Sequence, residues 1–274
     1  MPIQNRLLVA LAALACLGAC SSQLPRPTPA SEVPEIRPGV LAGYLPRNAL
    51  PNSLTLLAAP PASGTAAFAV DEEAYRSTRS LQGSARWKQA SEDAVLRFPQ
   101  AAAAFSCAAD LPITEKDTPH TYLLLRRTMA DAGLATYAAK DSYKRKRPFA
   151  TYNEPTCAPA EEASLAKDGS YPSGHSSLGW AWALVLAEIV PERADAILKR
   201  GEAYGQSRVI CGVHWQSDVD AGRLVAAGVV ARVHAEPAFL AEVEAARKEI
   251  REARSKKLAP SRDCGAEAQA LGTR

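Results

Sequence analysis

From about residue 70 onward, apolar positions recur with a helical period, and Val/Ile/Thr runs with period two are almost absent. The stretch DEEAYRSTRSLQGSARWKQASEDAVL predicts two helices broken near Gly83. The next, DTPHTYLLLRRTMADAGLATYAAKDSYKRKRP, opens on Thr118 as an N-cap with Pro119 at the first helical position. It is expected to run to Pro148 with an interruption at Gly133. PERADAILKRGEAYGQS starts a helix at Pro191, and SDVDAGRLVAAGVVARVHA reads as a small-residue core helix. FLAEVEAARKEIREARSKK should be an amphipathic surface helix. The most apolar segment, residues 175–190 (HSSLGWAWALVLAEIV), is shorter than the roughly 20 residues a membrane span needs, and its apolar run ends at Glu188. It therefore reads as a buried core helix. The fold expected is all-α, a compact helical domain with a core helix bundle.

The first residues break this pattern. Arg6 is followed by LLVALAALACLGAC, an apolar run with the character of a signal peptide. Ala13-Leu14-Ala15 fits ordinary signal cleavage, whereas Leu17-Gly18-Ala19-Cys20 resembles a bacterial lipobox, in which Cys20 becomes the lipidated first residue. Ser21 after that cysteine, by likeness to such lipoproteins, favours the outer membrane. Residues 21–66 are rich in proline and read as tether and irregular surface-hugging chain. The expected organisation is a signal peptide over 1–19, a Pro-rich tether and irregular segment over 20–54, a domain over 55–250 and a charged tail over 251–274.

Composition changes the picture little. With 274 residues, 47% hydrophobic and a net charge of +3, the chain is an ordinary globular protein, and its interleaved charges argue against nucleic acid as a partner. Cysteine usage says more. Setting aside Cys16 and Cys20, an even four remain (Cys107, Cys157, Cys211 and Cys264), which in an exported protein suggests two disulfides with three pairings open. No pair has the spacing of a zinc site, and none is expected.

Three clusters carry candidate chemistry. Ser173-Gly174-His175 sits at the N-terminus of the core helix, where free backbone N–H groups and the helix dipole favour an anion and glycine admits close approach. A serine-nucleophile elbow would need glycine where Leu178 stands. Lys140 and Arg147, two helical turns apart, are expected to project from one helix face before Pro148 ends the helix. Taken alone, KDSYKRKRP, with Lys144, Arg145 and Lys146, reads equally as a solvated basic face. In SRVICGVHWQSDVD, Asp218 follows His214 by four residues, so a carboxylate can hold Nδ1–H and aim Nε2. Alone, that pair is as much a structural as a catalytic feature.

Together the clusters spell K-x6-R-P (Lys140, Arg147, Pro148), P-S-G-H (Pro172 to His175) and S-R-x5-H-x3-D (Ser207, Arg208, His214, Asp218). This tripartite signature resembles the phosphatidic acid phosphatase type 2 superfamily. The longer stretches LPITEKDTP, SYPSGH and SRVICGVHWQSDVDA are similar to the class A bacterial nonspecific acid phosphatases. The resemblance covers roughly residues 55–250 and implies an exported acid phosphatase that hydrolyses small-molecule phosphomonoesters without a metal or other cofactor. It implies His214 as the nucleophile that forms a phosphohistidine, Asp218 as its orienting partner and His175 as general acid and base. Lys140, Arg147, Ser173, Gly174 and Arg208 would hold the phosphoryl oxygens.

For the disulfides, the pairing expected is Cys157–Cys211, which would join two active-site segments, with Cys107–Cys264 tying the C-terminal tail to the body. His120 and His234 read as structural, and Glu115 and Asp117 as neighbours of the pocket. Localisation is expected in the bacterial periplasm, with contact to the membrane only through lipid at Cys20, and a homodimer is compatible with the family. The competing readings are a vanadium-dependent haloperoxidase, which shares the anion site, and a noncatalytic phosphate-binding lipoprotein, which would have no use for His214, Asp218 and His175 together.

Overall fold

A computed structural model describes residues 25–272. The expected signal peptide and Cys20 lie outside the described residues. The fold is all-α: fourteen α-helices among the described residues, with one small hairpin of β1 (Glu35–Arg37) and β2 (Val40–Leu41) near the start. After the hairpin come α1 (Ser53–Leu56), α2 (Ala66–Ser77) and α3 (Ala85–Asp93). Thr65 and Ser84 cap α2 and α3 through their hydroxyls, and Gly83 supplies the left-handed turn between them. The short α4 (Gln100–Ala103) and α5 (Ser106–Ala109) lead to α6 (Pro119–Leu134), which has Pro119 at its first position. Thr118 precedes it without capping it through the side chain; its hydroxyl donates to the Pro112 carbonyl instead.

Three short helices follow, α7 (Tyr137–Tyr143), α8 (Pro148–Tyr152) and α9 (Glu162–Leu165). Here the structure corrects the sequence expectation. Lys140 and Arg147 do not share one helix, because α7 stops where Lys144 turns into the left-handed region with φ of 43°. Pro148 opens α8 rather than ending a helix, since a proline at the first position loses no intrahelical hydrogen bond. The two basic side chains are brought together by this turn.

The apolar segment is α10 (Gly174–Ile189), the central helix, packed by α6, α11 (Ala194–Ile210) and α12 (Gln216–Val233). Trp182 is fully buried on it and donates its indole N–H to the Leu125 carbonyl at 2.9 Å. Burial of a large apolar side chain contributes about 1.5–3 kcal/mol, and Leu178, Val185, Leu186 and Ile189 are buried beside it. Small residues let α12 approach closely: a Cβ on Gly222 would lie 2.5 Å from the Ser173 carbonyl. The N-terminus of α10 and the first turn of α12 are thereby fixed against each other. No single helix among the described residues is long and apolar enough to cross a membrane.

Two further segments pack more closely than the sequence suggests. Residues 30–56 lie against the body: Val33, Leu41, Tyr44 and Leu45 are buried, and the Tyr44 and Leu45 amides donate to the Asp131 carboxylate at 2.8 and 3.1 Å. At the other end α13 (Pro237–Ser255) packs on α6 and runs through the boundary expected at residue 250, and α14 (Cys264–Leu271) follows it. Cys107–Cys264 pins α14 to the body, the pairing expected from the sequence, and Glu267 faces Arg200 and Arg262. The second bridge, Cys157–Cys211, joins the segment after α8 to the end of α11.

Candidate active site

Five separate stretches converge at the N-terminus of α10. The end of α7 supplies Lys140, the N-cap of α8 supplies Arg147, and the α9–α10 loop supplies Asp168 through Ser173. The end of α11 supplies Arg208, and His214 and Asp218 flank the start of α12. Lys140, Arg147, Gly174, His175 and His214 line one cavity of about 290 Å³. Ser173, Arg208 and Asp218 are buried and are not part of that lining. Glu115 and Asp117 do not line it either; Asp117 serves a local turn with Thr114.

The tautomer of His214 follows from its two neighbours. Arg147 Nη1 lies 3.0 Å from Nε2, and a guanidinium can only donate, so Nε2 keeps its lone pair. Asp218 Oδ2 lies 3.3 Å from Nδ1 and can only accept, so Nδ1 carries the proton. The ring is buried, and burial, followed by the charges of Arg147, Lys140 and Arg208, holds its pKa well below the usual histidine value. His214, one of the residues lining the cavity, is thus neutral with an unprotonated Nε2.

Asp218 is in turn held by Arg145, whose guanidinium donates to Oδ1 at 2.6 Å, and by the Trp215 amide, which donates to Oδ2 at 2.8 Å. Burial raises the Asp218 pKa, while Arg145 is the main charge acting against that rise. Arg145 reaches back to Asp71 of α2 at 2.7 Å, and Asp71 also accepts from the amide and hydroxyl of Ser217. Arg145, read in the sequence as part of a solvated basic face, is instead buried between two carboxylates. No local pattern marks it, because Asp71 is 74 residues away.

The second histidine has the opposite free nitrogen. His175 Nε2 lies 3.0 Å from the Ala94 carbonyl, which can only accept, so Nε2–H is committed there and Nδ1 remains for proton transfer. Burial, then Arg208, pushes its pKa well below the ordinary value. Arg208 is fully buried, and all three guanidinium nitrogens lack a hydrogen-bond partner among the described residues. Burying an unpaired guanidinium is costly, so this arrangement fits a site whose ligand is an anion. Burial lowers its pKa to about 10, which still leaves it cationic at neutral pH.

Lys140 is buried, and its pKa is lowered to about 8 by desolvation and then by Arg147. One carboxylate holds both cations: Asp168 Oδ2 accepts from Lys140 at 3.2 Å and from Arg147 at 2.9 Å. The Gly169 carbonyl accepts from Lys140 as well, and Arg147 also donates to the carbonyls of Leu165 and Val213. Asp168 is a site residue that sequence reasoning passed over, although it stands four residues before Pro172. Ser173 caps α10, its Oγ accepting from the amide and hydroxyl of Ser176, which leaves its own proton to donate. Gly174 opens the helix with a free first-turn N–H.

Outside the cavity, His120 meets Glu242 at 2.7 Å, and His234 bridges the Val230 carbonyl and Glu188. Both are structural. Among the described residues no group of three His, Cys, Asp or Glu side chains is arranged to hold a metal ion.

A cation-lined pocket on a core helix N-terminus, with a neutral histidine aimed into it, is the site of a helical phosphate-handling class. Residues 121–238, which carry Lys140 through Asp218, match the PAP2 superfamily. The chain is 50% identical over 208 residues to the nonspecific acid phosphatase of Providencia stuartii, across 76% of this chain and 84% of that relative. It is 41% identical to the acid phosphatase of Zymomonas mobilis subsp. mobilis, across 74% of this chain and 76% of the relative. The nonspecific acid phosphatase of Salmonella typhimurium is 46% identical, across 73% and 80% respectively. The chain therefore belongs to the PAP2 superfamily and, within it, to the class A bacterial nonspecific acid phosphatases. In fold it is similar to a solved bacterial vanadium-dependent iodoperoxidase, with a TM-score of 0.50 at 14% identity over 78% of this chain. This chain spans 63% of that protein's length.

Proposed function

We propose that the protein is an acid phosphatase that hydrolyses phosphomonoesters by double displacement at His214. The observation that carries the reading is the placement of the His214 ring between Arg147, which can only donate, and Asp218, which can only accept, an arrangement that leaves Nε2 its lone pair. In the first step the Nε2 lone pair attacks phosphorus and the bond to the ester oxygen breaks. His175 delivers the proton on Nδ1 to that oxygen, and the alcohol leaves. In the second step water attacks the phosphohistidine, His175 Nδ1 takes its proton, the P–N bond breaks and phosphate departs.

Lys140, Arg147 and Arg208, with the Ser173 hydroxyl and the Gly174 amide, hold the phosphoryl oxygens. Their preset positive charge stabilises the equatorial oxygens of the transition state, the work that preorganised donors and cations do in phosphoryl transfer. Arg147, which covers Nε2 in the free enzyme, turns its donor to a phosphoryl oxygen when substrate enters. Asp218 stabilises the ring as it gains positive charge, and Arg145 positions Asp218. No step calls for a metal. Haloperoxidase chemistry is not favoured, because relatives of high identity over most of the chain are phosphatases.

The direct test is hydrolysis of para-nitrophenyl phosphate under acidic conditions. His214→Ala should abolish turnover while preserving the fold, vanadate should inhibit competitively, and chelators should leave the rate unchanged. Wild-type turnover in His214→Ala, or loss of activity in chelator with recovery on added metal, would overturn the assignment.

The relatives and the two disulfides are consistent with export. Anchoring to the outer membrane through lipid at Cys20 is a further part of the proposal, supported by Leu17-Gly18-Ala19-Cys20 and the Pro-rich chain after it. Labelled palmitate should enter the wild-type protein and not Cys20→Ser; equal labelling of both would exclude the anchor.

A further inference from the structure

The cavity is larger than a phosphoryl group needs. It encloses about 290 Å³, against a water's share of liquid volume of about 30 Å³. Lys140, Arg147 and the two histidines account for only part of its lining. The rest of its wall includes Ile36, Val40, Leu96, Met129 and Leu134, an apolar surface broad enough to lie against a ring. Two arginines, Arg37 and Arg47, line the cavity as well. Both are exposed, and neither guanidinium has a hydrogen-bond or ion-pair partner among the described residues. The lining contains one carboxylate, Asp168, and both Lys140 and Arg147 already hold it.

Ile36, Arg37, Val40 and Arg47 come from the Pro-rich segment, and that segment is built into the wall. β1 pairs with β2, and the Ala42 amide donates to the Pro34 carbonyl at 2.8 Å. Arg127 donates to the carbonyls of Ala42 and Gly43 and stacks over Tyr44 at 3.9 Å. The apolar wall is therefore fixed, and its two free cations have no internal anion to satisfy them.

We propose that β1–β2 together with Arg47 forms a leaving-group subsite. It favours phosphomonoesters whose leaving group carries a second anionic group beyond a ring-sized apolar spacer. This rests on the phosphomonoesterase reading of the same cavity.

The test uses the full-length enzyme and matched aryl phosphates: 4-carboxyphenyl and 4-carbamoylphenyl phosphate, and the same pair with the acid or amide moved out on a two-carbon arm. At low ionic strength, at least one acid should exceed its amide in kcat/KM by about three- to tenfold, since each exposed charge pair contributes roughly two- to fivefold. The difference should sit in KM and shrink at high salt. Arg37→Gln/Arg47→Gln should bring the ratio to about one, and Arg37→Glu/Arg47→Glu should invert it. A ratio of one or less for both spacer lengths in the wild type, or a wild-type ratio that survives either double variant, overturns the subsite. Failure to hydrolyse every member of the series would instead remove the phosphomonoesterase reading, and the subsite with it.

Discussion

Arg147 and Asp218 touch the His214 ring from opposite ends, and each can play only one hydrogen-bonding part. The charges around the two histidines have a consequence for pH. In the proposed mechanism His175 must carry a proton to release the alcohol, yet burial and then Arg208 hold its pKa well below 6.5 in the free enzyme. The protonated form is lost as pH rises through that lowered value, so kcat/KM should begin to fall below the ordinary histidine range. A bound phosphoryl dianion reverses the effect of Arg208, so the matching fall in kcat should lie at higher pH. Steady-state profiles of both parameters check this; coincident limbs, or a limb in kcat/KM above neutral pH, contradict it. Lys140 adds a second limb in phosphate inhibition, which should weaken above pH about 8 as that ammonium deprotonates. At this scale the sequence is readable where one short motif holds the chemistry, as for His175 in the first turn of the core helix and Asp218 one turn from His214. It is silent on Arg145, whose burial depends on Asp71, and on the joint grip of Asp168, because neither contact has a fixed spacing.

Among the elements, the interrupted helix around Lys144 shows how a spacing can be right and its geometry different. Seven residues separate Lys140 from Arg147, but a left-handed turn, and not a shared helix face, brings them to Asp168. Proline density reads as tether and irregular surface-hugging chain, and the buried Tyr44 and Leu45, with both amides on Asp131, fasten that chain beside the site. Gly43 makes that contact sterically feasible, since a Cβ there would fall 1.9 Å from Asp131 Oδ1. Gly43→Ala should therefore destabilise the protein by about 1–3 kcal/mol, the usual range for overpacking. Because the displaced segment carries Ile36 and Val40, KM for aryl phosphates should rise while kcat holds. A denaturant midpoint and steady-state kinetics measure both; an unchanged KM would show that the segment's position does not matter to the cavity.

Over the whole molecule, the all-α class was legible because helical periodicity and cap residues need only local information. The convergence of five segments on the N-terminus of α10 was not, since it depends on close contacts such as that of Gly222 with Ser173. The two disulfides act at this scale: Cys157–Cys211 ties the chain after α8 to the end of α11, beside Arg208, and Cys107–Cys264 closes the C-terminal end onto the body. The fold thus places His214, His175 and the cations on separate elements around one cavity. In the proposed mechanism, what joins them is a covalent bond from His214 Nε2 to phosphorus. Rapid turnover of a phosphorus-labelled aryl phosphate, quenched in base to preserve a phosphoramidate, measures that bond directly. The label should appear on the peptide containing His214, persist longer in His175→Ala, and be absent from His214→Ala; label on another residue, or no label during active turnover, would contradict the mechanism.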